Sequence, residues 1–243
     1  MNTQADAQQR VALQHLQTEQ LLGVDFVPLP TGDSREIPDP VGLQPPAGEG
    51  PVARLEALRL QVEADFPFCS SLSSATRPVF GEGPANARLM FVGEAPGAQE
   101  DQTGRPFVGA AGQKLEQIIA AMGLERDDVY IANILKARPP DNRTPTIDEI
   151  EASAPYLSKQ LDIIQPEVII TLGAPATKFI LQTNEGISRL RGRWGTWEHE
   201  DLRIPVMPTF HPAYLLRNYT QETRKQVWSD IQKVVELLGL PSA

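Results

Sequence analysis

The chain has 243 residues, 41% hydrophobic and 22% charged, with a formal net charge of −9. That length allows one large domain, or one domain with an extension, and the apolar content is enough for a packed core. No apolar run reaches membrane-spanning length, and the single cysteine, Cys69, excludes an intramolecular disulfide. Such cysteine usage fits a reducing cytoplasm, and Met1 to Arg10 is polar, without the apolar core of a signal peptide. Net acidity argues against nucleic acid as a partner. Its distribution weakens that objection, because residues 1–65 hold ten acids against four bases, while 66–243 hold 21 against 18.

In chain order, Val11, Leu13, Leu16 and Leu21–Leu22 suggest a short amphipathic helix within residues 5–22. From Val27 to Pro51, seven prolines and four glycines read as a linker. Residues 1–51 are therefore expected to form an N-terminal arm, and 52–243 the main domain. A helix is expected at Ala53–Ala64. Apolar runs at Leu89–Val92, Val129–Leu135, Val168–Leu172 and Val206–Phe210 read as buried parallel strands. Helical patterns at Gln113–Met122, Ile147–Ile164, Pro175–Leu181 and Glu222–Leu238 alternate with them. Such β and α alternation implies an α/β fold, a parallel sheet covered on both faces by right-handed crossovers.

Ligands in such sheets bind beyond the carboxyl ends of the strands. There the sequence places Gly93-Glu94-Ala95-Pro96-Gly97, then Asn133 followed by Lys136-Ala137-Arg138-Pro139-Pro140-Asp141-Asn142-Arg143, then Gly173-Ala174. The fourth strand leads into His211-Pro212-Ala213-Tyr214-Leu215-Leu216-Arg217-Asn218. The carboxylates Glu94, Glu100 and Asp101 argue against a plain phosphate cradle at the glycine-rich turn. An acid, an amide and an imidazole converge on one rim.

These segments together resemble the type-4 uracil-DNA glycosylases of the uracil-DNA glycosylase superfamily. The likeness runs from about Phe66 to Leu238. It rests on GEAPG with its following Glu-Asp, on GRPFVG-x-AG, on Asn133 before K-x-RPP-x-NR-x-P, and on HPAYLLRN. It implies a three-layer α/β/α sandwich around a four-stranded parallel sheet. It also implies excision of uracil from DNA as a monomer, with abasic-site repair enzymes acting downstream. The family holds an iron–sulfur cluster on four cysteines, but here Phe66, Cys69, Ala137 and Ser153 stand at those positions. One thiolate cannot hold a cluster, so none is expected. Phe66 and Ala137 would fill the space, with Cys69 as a small buried hydrophobe.

The resemblance also assigns roles. Asn133 would read the base, accepting from uracil N3–H and donating to O4. His211 would donate to O2 as charge builds there. Glu94 would orient the attacking water, with Glu100 or Asp101 as stand-ins or as members of a solvated acidic loop. Phe107 would stack on the flipped base, and Gly93 and Ala95 would line the pocket through their backbones. Tyr214 or Leu215 would wedge the DNA stack, and Lys136, Arg138, Arg143 and Arg217 would meet phosphates. Ser188 to Trp194, with three arginines, reads as a further DNA contact or a solvated hairpin tip. His15 and His199 lie in no motif and read as capping or core residues. A binding protein of the same fold with little turnover is the alternative; a flavodoxin-like nucleotide binder would leave Asn133 and His211 without purpose.

Overall fold

The structure, a computed structural model, describes residues 50–241. The expected helix within 5–22 and the linker up to residue 49 lie outside the described residues. Helix α1 spans Pro51–Asp65, with its proline in the first turn, where a missing N–H costs no hydrogen bond. Strand β1 (Leu89–Gly93) leads into two helices, α2 (Ala98–Thr103) and α3 (Ala110–Ala121). After β2 (Tyr130–Asn133) come α4 (Ile147–Ile164), β3 (Val168–Leu172), α5 (Ala174–Leu181) and α6 (Ile187–Leu190). The chain then forms β4 (Gly195–His199), β5 (Leu202–Thr209), α7 (Pro212–Arg217) and α8 (Gln221–Leu237).

The sheet order is β2-β1-β3-β5-β4. The four expected strands are parallel to one another, and β4 adds an antiparallel edge against β5. Its residues, Gly-Thr-Trp-Glu-His, bury only Trp197, so no apolar run marks them in the sequence. The Ser188–Trp194 segment is not a hairpin tip. Its first residues close α6, and Arg191 bonds Asp230 on α8.

Val227, Ile231, Val234 and Val235 recur at helical spacing on α8 and meet Leu115 and Ile119 of α3, and Met122 at its end, over one sheet face. Each such buried side chain contributes about 1.5–3 kcal/mol. The other face carries α4, whose Gln160 donates to the Tyr130 hydroxyl and to the Phe80 carbonyl, both at 2.9 Å. Helix α1 packs against α4 from outside. Helix α4 starts at a Thr146 cap: Glu149 N–H donates to the Thr146 hydroxyl at 3.4 Å, and Thr146 N–H to the Glu149 carboxylate at 2.9 Å. These layers bring the carboxyl ends of β1, β2, β3 and β5 to one end of the sheet.

Candidate active site

Gly93 ends β1 and Asn133 ends β2, and the two are register partners. A Cβ on Gly93 would lie 2.3 Å from Asn133 Oδ1 and 2.5 Å from Phe107 Cζ. Glycine here therefore keeps open the gap between amide and ring. Phe107 in turn lies 5.7 Å from the His211 ring, centroid to centroid, at 33°. Asn133, Phe107 and His211, from three separate motifs, thus form one continuous group.

Asn133 is buried, and its Oδ1 is the one buried side-chain nitrogen or oxygen atom among the described residues without a hydrogen-bond partner. Leaving such an acceptor unpaired costs about 1–3 kcal/mol, which a donor on a bound ligand would recover. His211 caps α7, and its Nδ1 accepts the Ala213 N–H at 3.1 Å. That bond leaves the ring proton on Nε2, as a donor. Burial, reinforced by the charge of Arg217 and opposed by Glu100, lowers the His211 pKa to about 4. The imidazole is neutral at pH 7. Glu94 is half-buried beside Gly93, and its carbonyl accepts the Leu135 N–H at 3.1 Å; Ala95 follows, also half-buried.

Phe107 has φ +49°, a left-handed conformation that needs support from its surroundings. Glu100 gives it on one side, accepting N–H groups from Val108 at 2.8 Å, Gly109 at 2.9 Å and Gly97 at 3.2 Å. Arg126 gives it on the other, donating to the carbonyls of Pro106 at 2.5 Å and Phe107 at 3.2 Å. A Cβ on Gly112 would strike the Phe107 carbonyl at 1.9 Å, so α3 can approach only with glycine there. Asp101 accepts from the backbone and hydroxyl of Thr76, both at 2.8 Å. Glu100 and Asp101 lie on α2 rather than in a solvated loop. Both carboxylates are consumed in holding the backbone.

Residues 80–232 match the family model of the uracil DNA glycosylase superfamily. The chain is 47% identical to the type-4 uracil-DNA glycosylase of Sulfurisphaera tokodaii over 71% of its own length and 80% of that protein. It is 46% identical to the type-4 enzyme of Thermotoga maritima, over 68% and 85% respectively. It is 43% identical to that of Archaeoglobus fulgidus, over 70% and 87%. The chain belongs to the type-4 uracil-DNA glycosylases.

Around the rim of this glycosylase the expected DNA contacts separate. Lys136 is fully buried, with Nζ donating to the Asn133 carbonyl at 2.8 Å and to Gln160 Oε1 at 2.6 Å. It cannot reach a phosphate; it braces the strand end that carries Asn133. Burial lowers its pKa to about 7. Leu215 is also buried, because α7 turns Pro212 and Leu215 inward together, three residues apart. It cannot wedge a base stack. Tyr214 and Leu216 are the exposed large hydrophobic members of that helix, Tyr214 leaning on Phe210 at 4.7 Å. Arg138 donates to Asn142 Oδ1 at 2.8 Å, and Arg217 is exposed at the end of α7. Arg143 forks onto the buried Glu149 at 2.6 and 2.9 Å. Burial alone would raise the Glu149 pKa, but hydrogen bonds from Arg143, Ser71 and Thr146 hold it down at about 2.

The four cluster positions of the family do not fit an iron–sulfur group here. Ala137 and Ser153 are buried without a thiolate, and Phe66 rests edge-on against Phe68 at 5.9 Å. Among the described residues, no three His, Cys, Asp or Glu side chains gather to hold a metal. Cys69 is half-buried rather than enclosed, with Sγ 3.3 Å from the Ser71 hydroxyl. The expectation of a buried hydrophobe does not hold for it, because Ser71 turns that corner toward Glu149 at 2.7 Å and leaves the thiol at the edge.

Sequence reading missed Arg126 and the bracing roles of Glu100 and Lys136. Only Glu100 left a trace, three residues after Gly97 at a helix start, the spacing at which a carboxylate reaches back to backbone N–H groups.

Proposed function

We propose that Asn133, His211, Glu94 and Phe107 carry out uracil excision in this chain. The protein is a uracil-DNA glycosylase, hydrolysing the bond between deoxyribose C1′ and uracil N1 in DNA. The target base must leave the duplex stack to be reached. Asn133 Oδ1 then accepts from uracil N3–H and its Nδ2 donates to O4. Cytosine reverses both groups, leaving two mismatched buried pairs at about 1–3 kcal/mol each.

As the glycosidic bond breaks, negative charge gathers on the departing base. The Nε2–H of neutral His211 donates to O2 and stabilises that charge without transferring a proton. Glu94 orients water toward C1′, and its carboxylate favours the cationic sugar. Phe107 stacks on the base, an interaction worth about 1–3 kcal/mol. Gly93 and Ala95 line the pocket with backbone. Arg217, Arg138 and Tyr214 meet the flanking DNA, Arg143 contributing through its charge while it stays paired with Glu149. The protein acts as a cytoplasmic monomer without an iron–sulfur cluster, and abasic-site repair enzymes take its product. No helix of the described residues is long and apolar enough to cross a membrane.

The observation that carries this reading is the orphaned Asn133 Oδ1 within reach of Gly93 and beside Phe107. Its test is release of free uracil from a uracil-bearing oligonucleotide without added metal. Asn133→Asp and His211→Ala should each slow release at least tenfold. Tight binding with no alkali-sensitive abasic product, in the unaltered protein, would instead make it a binding protein of this fold.

A further inference from the structure

Beyond α7 lies a group of side chains that none of these roles uses. Tyr219 follows that helix by two residues and is 57% exposed. Lys114 Nζ stands 4.7 Å from its ring centroid and the Arg224 guanidinium 5.0 Å. Lys114 comes from α3 and Arg224 from α8, so two helices distant in sequence converge on one ring. Lys114 also donates to Gln117 Oε1 at 2.5 Å. Among the described residues, neither cation has a carboxylate partner. That sets them apart from Arg59, Arg88, Arg105, Arg126, Arg143 and Arg191, which are all in ion pairs. In a chain with a net charge of −9, two unneutralised cations on one exposed ring form a local positive site.

Their place follows from α7. It runs six residues from its cap at His211, about 9 Å at ~1.5 Å per residue, and Tyr219 lies just past its end. At ~3.4 Å per nucleotide along a duplex strand, that is roughly three nucleotides from the excised base.

We propose that Lys114, Tyr219 and Arg224 clamp the DNA strand on one side of the target nucleotide. The two cations hold phosphates, and Tyr219 sets their spacing and packs on the flanking nucleotide. Cation–π contact holds two long side chains in place before DNA arrives, which reduces the rotamer freedom lost on binding. The contact is independent of base sequence and weakens with salt. The clamp rests on the glycosylase reading for its location but is tested without excision.

The experiment uses the full chain and fluorescence anisotropy. Oligonucleotides carry thymine at the central position, with both flanks intact or with one trimmed to a single nucleotide. Wild-type Kd should rise about tenfold on trimming one of the two flanks. Tyr219→Ala and the double variant Lys114→Gln/Arg224→Gln should show that rise on the untrimmed strand and no further loss on trimming. Tyr219→Phe should behave as wild type. The double variant should also lower the slope of log Kd against log salt by about 1–2. Trimming that weakens wild type and both variants alike, or an unchanged salt slope, overturns the clamp. Uracil release by the same preparations separates the two ideas: no release, with the trimming pattern intact, removes the glycosylase reading and keeps the clamp.

Discussion

Gly93 and Asn133 face each other across the β1–β2 ladder, and a single methyl group on the glycine would lie 2.3 Å from the asparagine Oδ1. The gap beside Phe107 therefore exists only because residue 93 has no side chain. Gly93→Ala should lower kcat/KM for uracil release at least a hundredfold, while overpacking costs about 1–3 kcal/mol of stability. Thermal unfolding beside single-turnover kinetics checks this. A variant that keeps wild-type kcat/KM would show that the base is bound elsewhere.

The Ala213 N–H on His211 Nδ1 makes a prediction about pH. A pKa of about 4 keeps the ring neutral in the folded state far below the ordinary histidine value of 6.5. Uracil release should then show no break at pH 6–7. For stability the sign is opposite to that of a paired histidine. Between pH 6.5 and 4 the unfolded chain binds the proton and the folded chain does not, so this residue lowers stability as pH falls through that window. In His211→Asn that portion of the acid loss should disappear, as read from urea midpoints at pH 7 and 5.

Lys136 titrates in the same sense at higher pH. Its folded pKa of about 7 lies below the ordinary 10.5, so the unfolded state binds more protons between those values and stability rises with pH there. Lys136→Met removes the titration. Wild type should gain on Lys136→Met as pH rises from 7 to 9, measured by urea unfolding. Lys136→Met should also slow uracil release, because the Asn133 carbonyl loses its donor.

Glu100 holds three backbone N–H groups of the loop that carries Phe107. Glu100→Ala should raise amide exchange at Val108 and Gly109 by at least tenfold and raise KM for uracil-bearing DNA. Unchanged exchange at those two amides would show that Arg126 alone holds the loop.

Elemental analysis addresses the cluster positions. With Phe66, Ala137 and Ser153 in place of thiolates, purified protein should be colourless and contain no stoichiometric iron. A brown preparation with iron bound would overturn that expectation.

Much of the fold was legible because buried parallel strands are nearly continuous apolar runs: Leu89–Val92 is wholly apolar, and Val168–Leu172 is interrupted only by Thr171. β4 was not legible, since an edge strand buries one side chain in five and gains its identity from its neighbour β5. For the site, the residues with unusual chemistry stood out at strand ends: Asn133, His211 and Glu94. Lys136 and Leu215 misled for one reason. A side chain's direction depends on the local turn of the backbone, which residue type does not report.

The linear order of motifs thus determined the family, the layered fold and the kinds of groups available for chemistry. Three-dimensional packing decided which charges stay exposed and which are spent inside. It also decided which nitrogen of His211 carries the proton and which acceptor waits for a donor. Those outcomes depend on hydrogen bonds of about 3 Å that form only in the folded chain, some within a turn, as from Ala213 to His211, and some between distant segments, as from Lys136 to Gln160.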